Sequence, residues 1–409
     1  MKEKVAVIGG GPAGIIAAGF ASSRNKEVKL FEKNNKLGKK LFITGKGRCN
    51  ITNNADVETF LDNVTTNKDF LYSALYSYTN RDILALLNEY GLKTKVERGG
   101  RIFPVSDKSS DVIKAFEKFL IEKNVDIILN KEVNKVSHRD GFFTLRFKDS
   151  SSENFDKVII ATGGKSYPIT GSTGDGYKFA KYLGHSTIAL KPGLVPCETK
   201  EKWVRDLQGL TLKNISISAY IGNKKIYENF GEMLFTHFGL TGPIILTMSN
   251  IINKHVSAKE EIILYIDLKP ALSFEKLDNR ILRDFDKYNN KQIKNGLKDL
   301  LPQKLIPIIL KLSNINESQY INQITKEERI RLIENIKKLK LNFLKFRPIE
   351  EAIITSGGIS TLEINPSNME SKLVKGLFFV GEVIDIDSLT GGYNLQNAYS
   401  TGYLAGINC

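Results

Sequence analysis

Residues 4–32 read KVAVIGGGPAGIIAAGFASSRNKEVKLFE. Val5, Val7 and Ile8 form a β-branched apolar run cut off by glycines, Ile15 to Ser23 is rich in Ala and Ile, and Val28 to Phe31 is a second short apolar run ending at Glu32. Strand, tight turn, helix and strand within about 30 residues make a βαβ unit, the smallest piece of a doubly wound sheet. Gly9-x-Gly11-x-x-Gly14 occupies the strand-to-helix turn. The first glycine permits the turn, the second lets backbone approach a pyrophosphate, and the third lets helix pack on strand. The helix N-terminus adds about half a positive charge. Gly9, Gly11, Pro12, Ala13 and Gly14 are therefore the expected diphosphate contacts. Glu32, 18 residues beyond Gly14, is placed to accept hydrogen bonds from both hydroxyls of an adenosine ribose.

Two further segments decide which dinucleotide is expected. Ile160-Ala161-Thr162-Gly163-Gly164 is a strand running into small residues, and Val380-Gly381-Glu382-x-x-Asp385 is a strand ending in an acidic pair suited to ribityl hydroxyls. A nicotinamide enzyme needs only the first βαβ unit, whereas all three segments in this order argue for FAD. Gly391-Gly392-Tyr393-Asn394-Leu395-Gln396-Asn397 then opens a helix with glycines and amides. Its unpaired N–H groups and dipole, aimed at the flavin pyrimidine edge, would stabilise negative charge there. Between Lys33 and Arg48 stand six basic residues and no acid, and the part from Thr44 to Asn50 is placed to run along a diphosphate.

The chain has 409 residues, of which 41% are hydrophobic and 25% charged, and no run approaches the roughly 18 apolar residues that cross a membrane. This predicts a globular protein of two or three domains without a signal peptide. Cysteines at 49, 197 and 409 are too few and too scattered for a disulfide framework or a CxxC site, so a reducing cytoplasm is expected. No HExxH, nucleophile elbow or EF-hand loop occurs, and no metal site is expected. Net charge is +14, with 17 Lys and Arg against 10 Asp and Glu between residues 272 and 350. No RNP signature, zinc finger or arginine-rich tract accompanies these lysines, so solvated helix faces rank ahead of a nucleic-acid partner.

Residues 56–92 read as helical and Asp111 to Lys123 as an amphipathic helix. Asp126 to Val133, Phe142 to Phe147 and Phe155 to Ala161 read as a three-strand meander, with Asp140-Gly141 a hairpin turn. From about Lys191 the chain is β-rich, and after Pro270 it becomes helical, with a capping box at Thr325 and Glu328. The strand Gly376 to Val380 and the helix Gly391 to Gly406 return to the early character, which suggests one domain built from both chain ends.

The stretches GKGRCNITN at 45–53, RIFP at 101–104, ATGG at 161–164, GSTGDGY at 171–177, GEMLFTHFGLTGP at 231–243 and GEVIDIDSLTGGYNLQNAYSTG at 381–402 resemble BaiN- and YhiN-type flavoproteins, as does VIGGGPAG at 7–14. The resemblance implies an α/β fold: a Rossmann-like three-layer ββα FAD domain from residues 1–190 and 356–409, an inserted β-rich domain (191–271, with a return strand at 342–355), and a nested helical domain at 272–341. It also implies noncovalent FAD, contacted at Lys33, at Thr44, Gly45, Arg48, Cys49 and Asn50, near Val133, at Ala161, Thr162 and Gly163, at Gly381, Glu382 and Asp385, and at Gly392, Asn394, Leu395 and Gln396. One branch resembles bile-acid reductases acting on steroid enones.

These residues are expected to support hydride transfer between flavin and a small organic substrate carrying an activated C=C or C=O, with a proton supplied from the other side. His237, Tyr393 and Arg48 are the catalytic candidates, although a lone His flanked by aromatics, as His237 is, reads more often as a packed, hydrogen-bonded core residue. Cys49 has no second cysteine nearby, so disulfide chemistry is not expected. No second dinucleotide fingerprint exists between 190 and 350, so NAD(P)H, if used, would bind transiently at the flavin. A flavin-dependent RNA-modifying enzyme and a flavin-binding sensor are the alternatives. Oligomeric state is not readable.

Overall fold

The computed structural model describes residues 2–253, 255–256 and 261–409. It comprises two units, one running to Gly193 and resuming over Pro348–Cys409, the other spanning Leu194–Arg347.

The first unit is built on five strands, β1 (Lys4–Ile8), β2 (Glu27–Phe31), β3 (Asp126–Ile128), β4 (Lys157–Ile160) and β5 (Leu377–Phe379). They lie in the order β5-β4-β1-β2-β3, every neighbouring pair parallel. Helix α1 (Pro12–Ser22) begins with proline, whose fixed φ and missing N–H suit the first turn. It packs on the last helix, α2 (Tyr393–Asn408). A methyl on Gly402 would lie 2.4 Å from the Ala13 carbonyl and one on Gly406 2.7 Å from that of Ala17, so two glycines four residues apart let the helix backbones meet. This contact joins the two chain ends into one domain.

An antiparallel meander, Val133–Arg139, Phe142–Phe147 and Ser152–Phe155, is the third layer. The Phe147 and Phe155 rings stand 5.0 and 5.8 Å from Phe31. Asp140 and Gly141 both have positive φ, 53° and 81°, the type I′ geometry expected of that turn. The meander differs from the expected one at both ends, because 126–128 and 157–160 belong to the parallel sheet. Val158, Ile159 and Ile160 have no exposed surface, and an unbroken apolar run of this kind is buried on both faces, as parallel strands are. The expected helical stretch 56–92 is also broken. Helices Val57–Asp62, Tyr72–Ser77 and Asn80–Glu89 are interrupted by a strand, Val64–Thr66, paired with Asp387–Ser388, where three successive β-branched residues disfavour helix.

The chain leaves this unit along Thr187–Gly193 and returns along Ile354–Ile359, which pair antiparallel. The second unit is a closed barrel of six strands whose spatial order is 197–199, 239–241, 224–235, 211–221, 262–267 and 339–346. Helix Pro243–Ile252 packs inside: the Tyr227 hydroxyl donates to the Ile244 carbonyl at 3.1 Å. Helices Phe274–Lys287 and Lys326–Lys337 share one buried cluster with the barrel. The expected capping box forms, Thr325 N–H donating to Glu328 Oε2 at 2.8 Å and Glu328 N–H to Thr325 Oγ1 at 3.2 Å. Thr325→Ala is expected to lower stability by about 1 kcal/mol, read as a shift of the denaturation midpoint without a change of slope.

Candidate functional site

The glycine turn after β1 shows what each glycine is for. Gly9 has φ +112°, and a Cβ there would sit 2.5 Å from the Ala161 carbonyl oxygen on the neighbouring strand; one on Gly14 would sit 2.0 Å from the Gly9 carbonyl. At Gly11 a Cβ would meet nothing within 4 Å, so the backbone borders open space at the start of α1. The first N–H groups of that helix have no intrahelical partners. A diphosphate therefore has both room and donors here.

Glu32 follows β2 and is 8% exposed. Its Oε2 accepts Gly10 N–H at 2.8 Å and its Oε1 accepts Asn34 N–H at 2.8 Å, so the carboxylate is braced against the glycine turn. Lys33 Nζ reaches Asp175 at 2.7 Å and Thr173 Oγ1 at 2.6 Å. Across β4, Gly163 has φ +69°, and the buried hydroxyl of Thr162 has no protein partner. Val133, at the head of the meander, is buried. An unsatisfied polar atom beside a glycine cradle is what a bound nucleotide would complete.

A second group of contacts surrounds Glu382. Lys40 Nζ pairs with Glu382 Oε2 at 2.7 Å and donates to Ser166 Oγ at 2.5 Å, while Glu382 Oε1 accepts Thr355 N–H at 2.9 Å. Gly381, just before, has φ +72°. Asp385 Oδ2 accepts from Asn67 Nδ2 at 3.0 Å, and Asp387 Oδ1 accepts from Thr65 Oγ1 at 3.0 Å with its other oxygen buried and unpartnered. Burial raises the Asp385 carboxyl above the ordinary range and the nearby Asp387 adds to this, outweighing the Asn67 hydrogen bond. Between the ordinary carboxylate value and this raised one, the folded state holds a proton that the unfolded chain releases. Stability should therefore fall as pH rises through that window, and Asp385→Asn should flatten the fall in calorimetric scans.

Between Thr44 and Asn50 the backbone is unusual, with positive φ at Gly45, Lys46, Gly47 and Cys49. Thr44 Oγ1 donates to the Leu41 carbonyl at 2.7 Å, and the Asn50 side-chain oxygen is buried without a partner. Cys49 is fully buried, and burial pushes its thiol up to about 12. Cys197 and Cys409 are pushed up to about 12 and 11 for the same reason. A thiol reagent at pH 8 should find no fast-reacting group in the folded protein and three after denaturation. Arg48 is engaged elsewhere than its expected catalytic part requires. Its guanidinium pairs with Glu97 at 2.8 Å and Asp107 at 3.2 Å and lies 4.1 Å over the Phe103 ring.

The start of α2 is shaped by Gly391 and Gly392, at φ +132° and +104°; a methyl on Gly392 would lie 2.4 Å from the Thr52 backbone. Asn394 and Gln396 use their side chains internally. Asn394 Oδ1 accepts Ser388 N–H at 2.9 Å, while the buried Gln396 donates to the Tyr78 carbonyl at 3.0 Å and accepts from Thr52 Oγ1 at 2.8 Å. What the helix start can offer a ligand is backbone N–H at Tyr393, Asn394 and Leu395. Tyr393 packs edge-on against Phe60 at 5.1 Å, and burial raises its phenol above the usual value. His237 belongs to the second unit, exposed in the turn after strand Lys224–Phe235 with its ring 5.0 Å from Phe238. Lys40 was one of the six basic residues noted between Lys33 and Arg48, but Ser166, Thr355 and Asn67 were not singled out from sequence. All four come from separate segments and only the folded chain brings them to Glu382 and Asp385.

Among the described residues no group of three or more His, Cys, Asp or Glu is arranged to hold a metal, and no helix is long and apolar enough to cross a membrane. The model of the HI0933-like protein Rossmann domain matches residues 3–408. A 3-dehydro-bile acid Δ(4,6)-reductase of Clostridium scindens is 30% identical over 407 residues, covering 99% of this chain and 98% of that protein. A ribosomal RNA dihydrouridine synthase of Haemophilus influenzae is 31% identical over 407 residues, covering 98% and 97%. Among solved structures, a 3-ketosteroid-Δ4-(5α)-dehydrogenase of Rhodococcus jostii RHA1 superposes with a TM-score of 0.51 at 14% identity, over 100% of this chain and 96% of that one, a likeness of fold.

Proposed function

The chain belongs to the HI0933-like Rossmann family, a family of flavoprotein oxidoreductases, and on that premise we propose that it is an FAD-dependent reductase of a C=C bond conjugated to a carbonyl, with the uracil ring of an RNA as substrate. The observation that carries the cofactor is the open space at Gly11 beside the braced Glu32 carboxylate. The α1 start holds the diphosphate, Glu32 takes the adenosine ribose, and Glu382 takes ribityl hydroxyls in exchange for its contact with Lys40. Bound FAD supplies a hydride at its central ring, and NAD(P)H is the proposed transient donor. The N–H groups opening α2 favour negative charge on the ring edge placed against them. The Tyr393 phenol, its pKa raised by burial, stays protonated and serves to hold or protonate a substrate oxygen.

The two relatives' names denote chemically related reactions, since a steroid dienone and uracil both carry a C=C conjugated to C=O. Sequence alone ranks a small organic substrate first. The location of the charge favours RNA, because the second unit holds 26 Lys and Arg against 17 Asp and Glu, most of the +14 excess in well under half the chain. The test is to reduce the purified yellow protein anaerobically with NADH or NADPH. It is then offered ribosomal RNA from a strain lacking the gene and, separately, an unsaturated 3-ketosteroid. Dihydrouridine detected by mass spectrometry is the expected result. Steroid reduction with no dihydrouridine would replace RNA by a small enone as the substrate.

A further inference from the structure

We propose that the outer face of the barrel is where single-stranded RNA docks, an inference that rests on the RNA reading above. The strand registers define this face. Ile217, Ala219, Leu264, Ile266 and Leu341 point inward and are fully buried, so their alternates point out. Across the strands, Lys340 stands opposite Tyr265 and Tyr265 opposite Ser218. One step along, Ser216 stands opposite Phe230, and on the other side Tyr220 stands opposite Lys225. The Tyr220 and Tyr265 rings meet edge-on at 5.6 Å, and Phe230 is 54% exposed.

Three aromatic rings thus border a floor of two serines, which are short enough to leave the ring faces standing above the sheet. Of the acids on this face, Glu228 pairs with Lys225 and Asp267 pairs at 2.6 Å with Lys337 of the helix Lys326–Lys337, while Glu232, two residues beyond Phe230, is exposed with no ion pair within 4 Å among the described residues. Lys340 is exposed and has no ion pair within 4 Å among the described residues, although its charge acts on Glu261. Flat rings without sequence preference, small residues between them and an exposed lysine at the rim are what stacked bases and their phosphates use. A protein partner burying an apolar patch would be served by aliphatic side chains where the serines stand.

The test uses the full-length, flavin-loaded protein and a fluorescein-labelled, uridine-rich single-stranded RNA of about 20 nucleotides, long enough for one barrel face. Fluorescence anisotropy is read across a salt series. Tyr220→Ala with Tyr265→Ala should raise Kd about tenfold or more with flavin absorbance unchanged. Lys340→Glu should weaken binding and lower the salt slope by about one or more. Should the double tyrosine variant fail to fold, Phe230→Ser and Lys340→Glu, both at exposed positions, give the answer. If the parent protein binds RNA with a steep salt dependence and every variant matches it, the docking face is wrong and the RNA reading stands. If the parent does not bind RNA at about 0.1 M salt, the RNA reading falls and the docking face with it.

Discussion

Gly11→Ala is expected to give a protein that folds as the parent does and comes through purification colourless. Gly11 has φ −83° and ψ 178°, a backbone that alanine adopts freely, and its new methyl would touch no protein atom within 4 Å. Glycine is preferred over alanine at a helix N-cap, so the substitution costs about 1 kcal/mol of stability, too little to unfold the domain. The methyl instead fills the space assigned to the diphosphate, and crowding of this kind costs about 1–3 kcal/mol, so FAD should bind about 10- to 100-fold more weakly. The contrast is Gly9→Ala, whose methyl would press on the Ala161 backbone at 2.5 Å in a conformation hostile to L-residues. That variant should lose stability and flavin together. Flavin content and melting temperature, measured side by side, separate the two; normal flavin retention by Gly11→Ala would remove the diphosphate from this turn.

Glu32→Ala is expected to weaken FAD by about 100-fold or more. Two hydrogen bonds from ribose hydroxyls to a carboxylate contribute about 1.5–3 kcal/mol each, and the same substitution removes the acceptor that holds Gly10 N–H at 2.8 Å. Loosening the turn should add to the loss. Glu32→Gln keeps an acceptor and should fall between the parent and alanine. Equilibrium dialysis of the reconstituted protein provides the measurement, and parent-like affinity for the alanine variant would overturn the assigned role.

The parts of the site written in consecutive residues were legible beforehand. Gly9 to Gly14 and Glu32 lie on one βαβ unit, where strand and helix periodicity, turn glycines and a terminal acid all agree. Asp140-Gly141 and the Thr325–Glu328 box were readable for the same reason, since their chemistry is local. The meander was misjoined because an apolar run such as Val158–Ile160 does not say which sheet receives it. The partners of Arg48 could not be foreseen, since Glu97 and Asp107 are remote in sequence and nothing local selects them over a ligand. Asn394 and Gln396 illustrate the opposite problem. Their amides looked free to meet a cofactor, yet each satisfies buried backbone groups left over by a loop and by a neighbouring helix end.

The contact of α1 with α2 bears on how the protein is made. At about 5–20 residues per second, a ribosome that has finished Gly193 needs roughly 10–40 s more to deliver the glycine face that covers Ala13 and Ala17. Throughout that interval the nascent amino-terminal half exposes an oily helix and an unpaired edge of β4, while the barrel unit can close upon itself once its last strand, 339–346, has been made. Chaperone demand in the cell should accordingly concentrate on that waiting half.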